Sequence, residues 1–314
     1  MITKISNRVK LVRRFFATLL LNGVVNEFFI NRVNLLKNRK LTANLKEKQI
    51  ENLGIKTTGT SITDSKPYLD YSNLCESALY DEDTFEFFRS FEIYRDVLEH
   101  VPHFVAATYA AELRKSPNRE ELKNLMRIID SVGSPWKFNY KYFGQVSPTA
   151  VRYVHFANEI SRLFPGINPQ NICEIVCGFG GQAIALKKTF DFKKVTFVDL
   201  PSVLSLTKKS ISASKVEMQS NFMHPNESNS TVFDFLISNF AFSELSREYQ
   251  DLYLKNYVSK SKAGFMAWNP LSYENLDGYS LSELLDLIPY SKAQREVPST
   301  YPGNHYIYWN STTN

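Results

Sequence analysis

Asn171-Ile172-Cys173-Glu174-Ile175-Val176-Cys177-Gly178-Phe179-Gly180-Gly181-Gln182-Ala183, followed by Val195-Thr196-Phe197-Val198-Asp199-Leu200-Pro201, is the stretch that decides the fold. Ile172 to Cys177 is a short apolar run of strand type, and the glycines end it. Gln182 to Thr189 then reads as a helix. Val195 to Asp199 is a second strand, and Pro201 stands at the first turn of the next helix, where a missing N–H costs nothing. Strand, glycine turn, helix, strand, helix predicts a parallel, doubly wound sheet.

The alternation continues outward. Phe233 to Ser238 reads as a strand, Glu248 to Ser259 as a helix and Gly264 to Trp268 as a strand. Upstream, Ser147-Pro148 opens a helix through Val151, Val154, His155, Ile160 and Leu163, stopped by Pro165-Gly166. These spans predict a Rossmann-like α/β domain over residues 147–314. Residues 67–146 read as a helical cap region. In it, Phe85, Phe88, Phe91, Ile93, Tyr94 and Val97 suit a helix buried on a wide face. Asn118-Arg119-Glu120-Glu121 opens another, with Leu122, Leu125, Met126 and Ile129 on its apolar stripe. Residues 1–66 form a basic helical segment ending in the polar linker Thr57 to Lys66.

The chain has 314 residues, of which 43% are hydrophobic and 22% charged, enough apolar material for a core and too little charge for global disorder. Its net charge is +5. Residues 1–48 hold eleven Lys and Arg against Glu27 and Glu47, a net +9, so the rest sums to −4. Leu11, Phe15, Phe16, Leu19, Leu20 and Val24 share one side of that segment at helical spacing. It is too short and polar to span a bilayer, and reads as an amphipathic helix packed on the protein or lying on a membrane. No nucleic-acid module accompanies the basic residues. Cys75, Cys173 and Cys177 are three in number with no CxxC pair, which argues against a disulfide framework or a zinc site and for a cytoplasmic setting.

The glycine loop alone fits either a dinucleotide or S-adenosylmethionine. Glycines at a strand end let the backbone approach a ligand closely, and Asp199, at the end of the next strand, is placed to accept from both ribose hydroxyls. Two details separate the ligands. Ala183 occupies the third glycine position of a nicotinamide fingerprint. Glu174 stands four residues before Gly178, an acid characteristic of class I methyltransferases, where it orders the loop and the methionine end of the cofactor.

Four motifs then fall in order: the loop from Glu174 to Ala183; Val198-Asp199-Leu200-Pro201; Ser238-Asn239-Phe240-Ala241-Phe242-Ser243-Glu244-Leu245-Ser246-Arg247-Glu248-Tyr249-Gln250; and Asn304-His305-Tyr306-Ile307-Tyr308-Trp309. Ser147-Pro148-Thr149-Ala150-Val151-Arg152-Tyr153 precedes them. Over roughly residues 80–310 the chain resembles a bacterial sugar O-methyltransferase family. The family usually has glycine where this chain has Val176. That position reads as late in the strand, before the turn, where valine suits burial.

The resemblance implies a class I sheet of seven strands with a terminal antiparallel hairpin, supplied by Gln294 to Val297 and Tyr306 to Trp309. It implies S-adenosylmethionine as cofactor. Its binding set would be Glu174, Gly178, Gly180 and Gln182, Asp199 on the ribose, Leu200 beside the adenine, and Ser238 and Asn239 near the reacting methyl. Methylating a hydroxyl at neutral pH needs a base or a metal. Glu244 and His224 are the catalytic candidates, with a helix-capping role open for Glu244. Arg152 and His305 are the substrate-binding candidates, Arg152 through its planar fork toward an anionic sugar or phosphate. His155 reads as packing. No metal ligand set is visible in the spacing. The expected activity is O-methylation of a sugar hydroxyl in a surface polysaccharide or its lipid-linked precursor, in the cytoplasm or at the inner face of its membrane. Methylation of another small metabolite, and a catalytically inactive binding or scaffold protein, remain as alternatives.

Overall fold

The computed structural model describes residues 38, 66–227, 230–270, 273 and 277–311. The basic segment with its amphipathic pattern lies outside the described residues, Asn38 excepted. The chain divides into two compact units, residues 1–74 with 83–155, and residues 75–82 with 156–314. The division falls inside one helix, between His155 and Phe156.

The first unit is mainly helical. After α1 (Lys66–Tyr80), which runs on into the second unit, it contains α2 (Glu82–Phe87, of which Glu82 belongs to the second unit), α3 (Glu92–Val97), α4 (His103–Leu113) and α5 (Arg119–Ile129). A hairpin, β1 (Phe138–Tyr140) and β2 (Gly144–Val146), follows, and then the first half of α6 (Pro148–Leu163). The Phe-rich stretch is not one helix. A tight turn at Phe88–Ser90 separates α2 from α3, and Phe88, Phe91 and Tyr94 are buried around it. The cause is Arg89. Its fully buried guanidinium donates to Glu99 Oε1 at 2.6 Å, to the Ile129 and Val132 carbonyls at 2.9 and 3.2 Å, and to Ser147 Oγ at 3.2 Å. Satisfying that inward charge overrides continuous helix.

The second unit is built on a seven-stranded sheet. Its strands are β3 (Asn171–Ile175), β4 (Lys194–Val198), β5 (Gln219–Met223), β6 (Phe233–Asn239), β7 (Ser261–Trp268), β8 (Lys292–Arg295) and β9 (His305–Asn310), in the order β5-β4-β3-β6-β7-β9-β8. The first five are parallel, and β9 is antiparallel to β7 and β8. This is the expected Rossmann-like α/β sheet with its terminal hairpin. Helices α7 (Gly181–Phe190), α8 (Pro201–Ser214) and α9 (Arg247–Asn256) connect the parallel strands, and α10 (Leu281–Leu287) precedes the hairpin. Leu236, Met266, Ile307 and Trp309 form the core under β6, β7 and β9. Gly264 is where the Trp309 ring crosses β7, since a Cβ there would lie 2.1 Å from the indole.

Strand order runs β3, β4, β5 to one side and then returns to place β6 on the other side of β3. Ligands of open α/β sheets bind at the carboxyl ends of the strands where the order reverses. Glu174, Asn239 and their neighbours occupy that edge.

Candidate functional site

Five strand ends converge here. β3 ends in Glu174 and Ile175, β4 leads into Asp199, β6 ends in Ser238 and Asn239, and β7 ends in Trp268 followed by Asn269. The register pairs Trp268 with His305, so β9 begins at the same edge.

The loop after β3 is tightly tied. Gly178 has φ +56° and donates its N–H to Asp199 Oδ2 at 3.2 Å. The Leu200 N–H donates to Asp199 Oδ1 at 2.8 Å, and Leu200 is the residue before α8. Thr207 of α8 donates to the Gly178 carbonyl at 2.6 Å. The Asp199 carboxylate therefore braces the loop through Oδ2 and the start of α8 through Oδ1. Burial raises its pKa to about 6 against these stabilising bonds.

Glu174 is buried and accepts the Ala183 N–H from the first turn of α7, while its Oε2 has no partner. Burial first, and then the Asp199 charge, push its pKa to about 8. A buried carboxyl in that condition accommodates a positively charged group, which would hold it ionised.

Two of the expected residues meet directly. Asn239 Nδ2 donates to Gln182 Oε1 at 2.6 Å, joining the end of β6 to the start of α7, and Asn239 Oδ1 is buried without a partner. Ser238 is buried and its Oγ accepts the Phe242 N–H at 3.1 Å. Glu244, in the short turn Phe242–Glu244 after β6, accepts from Asn269 Nδ2 at 2.9 Å. Ser246, the residue before α9, makes no side-chain cap bond. His305 contacts the Gly303 carbonyl through Nδ1 at 2.7 Å and lies 6.3 Å from the Trp268 ring. The Trp268 Nε1 is buried with no acceptor.

His224 follows β5, two strands away from β3. Its Nδ1 accepts the Asn226 N–H at 3.3 Å and its own N–H donates to Glu227 Oε1 at 2.8 Å, so it serves a local turn. Arg152 belongs to the first unit. His155 stacks on Tyr109 in that unit, with ring centroids 4.7 Å apart.

One reading needs correction. Val176 is not in the strand, which ends at Ile175; it sits in the turn with φ +53°, a left-handed conformation costly for a β-branched residue. It holds the sheet there, its N–H donating to the Val198 carbonyl at 2.8 Å. Gly180 was expected to let the backbone approach the cofactor. Its φ is +81°, and a Cβ on it would stand 2.9 Å from Ile211 Cδ1 and 3.1 Å from Thr207 Cγ2. The side chain it lacks also leaves room for α8 against the start of α7.

Trp268 and Asn269 were missed in the sequence. Trp268 reads only as the last apolar residue of a strand, and Asn269 as the start of a loop. Phe240, φ +64° just past β6, is a second strained residue at this edge, and no residue type announced it.

No family model and no curated protein matches the chain. Among solved structures, magnesium protoporphyrin IX methyltransferase from Synechocystis, with S-adenosylmethionine bound, is 12% identical over 52% of this chain and 81% of its own, with a TM-score of 0.41. A protein classed as an O-methyltransferase from Nostoc punctiforme is 14% identical over 65% and 72%, TM-score 0.39. An S-adenosylmethionine-dependent methyltransferase from Clostridium acetobutylicum is 11% identical over 50% and 89%, TM-score 0.39. Likenesses this weak leave cofactor and residue roles to the site itself.

Proposed function

We propose that the protein is an S-adenosylmethionine-dependent O-methyltransferase acting on a sugar hydroxyl of a polysaccharide or lipid-linked glycan precursor. The observation that carries the cofactor is Glu174, a buried carboxyl with an unpaired oxygen next to the loop braced by Asp199. S-adenosylmethionine is a cation at its methionine end and a ribonucleoside at the other, and these two carboxylates suit those two parts. The sugar rests on the likeness of Ser238 to Gln250 to the sugar O-methyltransferase motif. The polar pair Glu244 and Asn269, with His305 at the same edge, supports it as chemistry that engages hydroxyls.

Glu174 would hold the ammonium, Asp199 the ribose hydroxyls, Leu200 the side of the adenine, and Gln182, Ser238 and Asn239 the region of the methyl. When bound, the cofactor would supply an activated methyl group for the acceptor hydroxyl. Glu244 would take the hydroxyl proton, with His224 as the other candidate base. Asn269 donates to one oxygen of Glu244 and so orients the carboxylate.

Val176 favours a second reading, a catalytically inactive binding or scaffold protein, because it strains the turn on which the cofactor would rest. Calorimetry with S-adenosylhomocysteine separates the two. Micromolar binding that is abolished by Asp199→Ala supports the enzyme, and no binding at millimolar ligand supports the scaffold. A panel of nucleotide sugars, glycans and small phenolic or carboxylic metabolites with labelled cofactor then tests the acceptor; labelling confined to metabolites would overturn the sugar. Co-sedimentation with anionic liposomes tests peripheral membrane contact through the +9 segment. Among the described residues no helix is long and apolar enough to cross a membrane.

A further inference from the structure

The second unit holds a cavity of about 590 Å³ at the edge of the sheet opposite the candidate site. Register fixes its place. β9 runs from His305, paired with Trp268 at the site edge, to Asn310, near Ala263 at the other edge, and β8 starts at that other edge with Lys292 opposite Tyr308. Residues 163–167, where α6 ends, form the facing wall. Gly166 leaves that wall open, since a Cβ there would meet nothing within 4 Å.

The wall is aromatic and its charge is one-sided. The rings of Phe164 and Tyr308 meet edge to face with centroids 6.1 Å apart, and Tyr290 beside them is 59% exposed. Lys292 is the one charged side chain of the wall among the described residues, and no carboxylate lines it. Directly paired residues of antiparallel strands project from the same face, so Lys292 and Tyr308 leave the sheet within reach of each other. Cations close by are already matched: Arg162 has Glu159 at 2.8 Å and Lys262 has Asp234 at 2.9 Å. Lys292 has no such partner among the described residues, and the hydroxyls of Tyr290 and Tyr308 are likewise unengaged there.

We infer that this cavity is a second ligand site, and that it takes an aromatic carboxylate. The ring would lie among Phe164, Tyr290 and Tyr308, and the carboxylate would meet the Lys292 ammonium, with the two phenols as further donors. One ammonium matches the single charge of a carboxylate, whereas a phosphate would bring a second charge that no wall residue answers. An exposed ion pair adds little affinity, so Lys292 selects the sign of the ligand and contact between rings supplies most of the binding. Small-molecule pockets span about 300–1,000 Å³, and this one has room for a bicyclic ring. Its place at the far edge from Glu174 and Asp199 separates it from the proposed cofactor site.

The test uses the full chain and does not depend on methyl transfer. Calorimetry with 2-naphthoate, its uncharged amide and acetate separates ring from charge. The naphthoate is expected to bind, the amide to bind about fivefold more weakly, and acetate to show no binding at millimolar concentration. Lys292→Gln should bring naphthoate down to the affinity of the amide and leave the amide unchanged, which a packing role for Lys292 would not do. Tyr290→Ala should weaken both ring probes about threefold or more. Both side chains are exposed, so the fold should tolerate either change, and if one variant fails to fold the other decides. Saturating S-adenosylhomocysteine should leave naphthoate binding intact. No binding of naphthoate by wild type, equal binding of naphthoate and amide, affinities unchanged in the folded variants, or competition by S-adenosylhomocysteine would each overturn the proposal.

Discussion

Asp199 Oδ2 accepts the Gly178 N–H at 3.2 Å, so the carboxylate proposed to hold a ribose also holds the loop on which the cofactor would lie. The two roles can be separated. Asp199→Asn keeps an oxygen for Gly178 and loses the charge, whereas Asp199→Ala loses both. Both should weaken S-adenosylhomocysteine binding, alanine by about 100-fold on the scale of charged hydrogen bonds, and asparagine by less. Amide exchange at Gly178 should quicken only in the alanine variant, and at Leu200 in both, because asparagine turns an NH2 toward the Leu200 N–H. Equal affinity of all three proteins would remove Asp199 from the ribose.

The raised pKa values give a pH dependence with a definite sign. Glu174 moves from an ordinary 4.5 to about 8 in the folded protein, so between these values the native state binds more protons than the unfolded one. Stability of the ligand-free protein should therefore fall as pH rises through that window. A cationic ligand favours the ionised form, so binding at pH 7 should release a proton and tighten as pH rises from 6 to 8. Calorimetry in buffers of different ionisation enthalpy reads the proton count. Glu174→Gln should abolish the release and weaken binding; an unchanged proton count would remove Glu174 from contact with the ammonium.

Gly180→Ala places a Cβ against Ile211 and Thr207 in a left-handed backbone. Strain and overpacking together should cost about 2–4 kcal/mol. Adding Ile211→Val removes the Cδ1 that lies 2.9 Å away and should restore part of the loss in denaturant melts. No rescue would mean that the backbone angle carries the whole cost.

Val176→Gly relieves about 1–2 kcal/mol of left-handed strain and loses a comparable amount in chain entropy and apolar contact. Stability should therefore stay within about 1 kcal/mol of wild type. Cofactor affinity is expected to rise, because the turn can then adopt the ligand-bound geometry without strain. A fall in affinity would show that the Val176 side chain supports the site.

Glu244→Gln should lower kcat by about 100-fold or more while leaving cofactor affinity unchanged. Asn269→Ala should lower kcat by a smaller factor, because the bond it donates holds the Glu244 carboxylate in place. An unchanged rate in both variants would return both residues to a structural role, and His224→Ala would then be the variant to measure.

Much of this was legible in the chain itself. Period and punctuation placed β3, β4, β6 and β7 within a few residues, because parallel strands are continuous apolar runs bounded by turn residues, whereas the hairpin was expected only from the family resemblance. The helix from Pro148 to Leu163 was bounded by its own prolines. Glu174, Asp199 and Asn239 could be nominated from motif order. The break at Phe88–Ser90 could not, since it answers to Glu99, Ile129, Val132 and Ser147, remote in sequence from Arg89. Val176 was misread for a related reason: an apolar residue after an apolar run looks like more strand, and a positive φ leaves no mark on residue type.

The stretch from Asn171 to Pro201 determined by itself that a strand, a glycine turn and a helix would form, because those outcomes depend on local sterics and short-range periodicity. Only the tertiary structure decided what each polar residue faces. It gave the Asp199 oxygens to Gly178 and Leu200, left Glu174 Oε2 and Asn239 Oδ1 buried and unpaired, spent Gly180 on the approach of α8, and set Glu244 against Asn269. Hydrogen-bond partnership and burial depend on segments far apart in the chain, and the packing of the sheet brings them together.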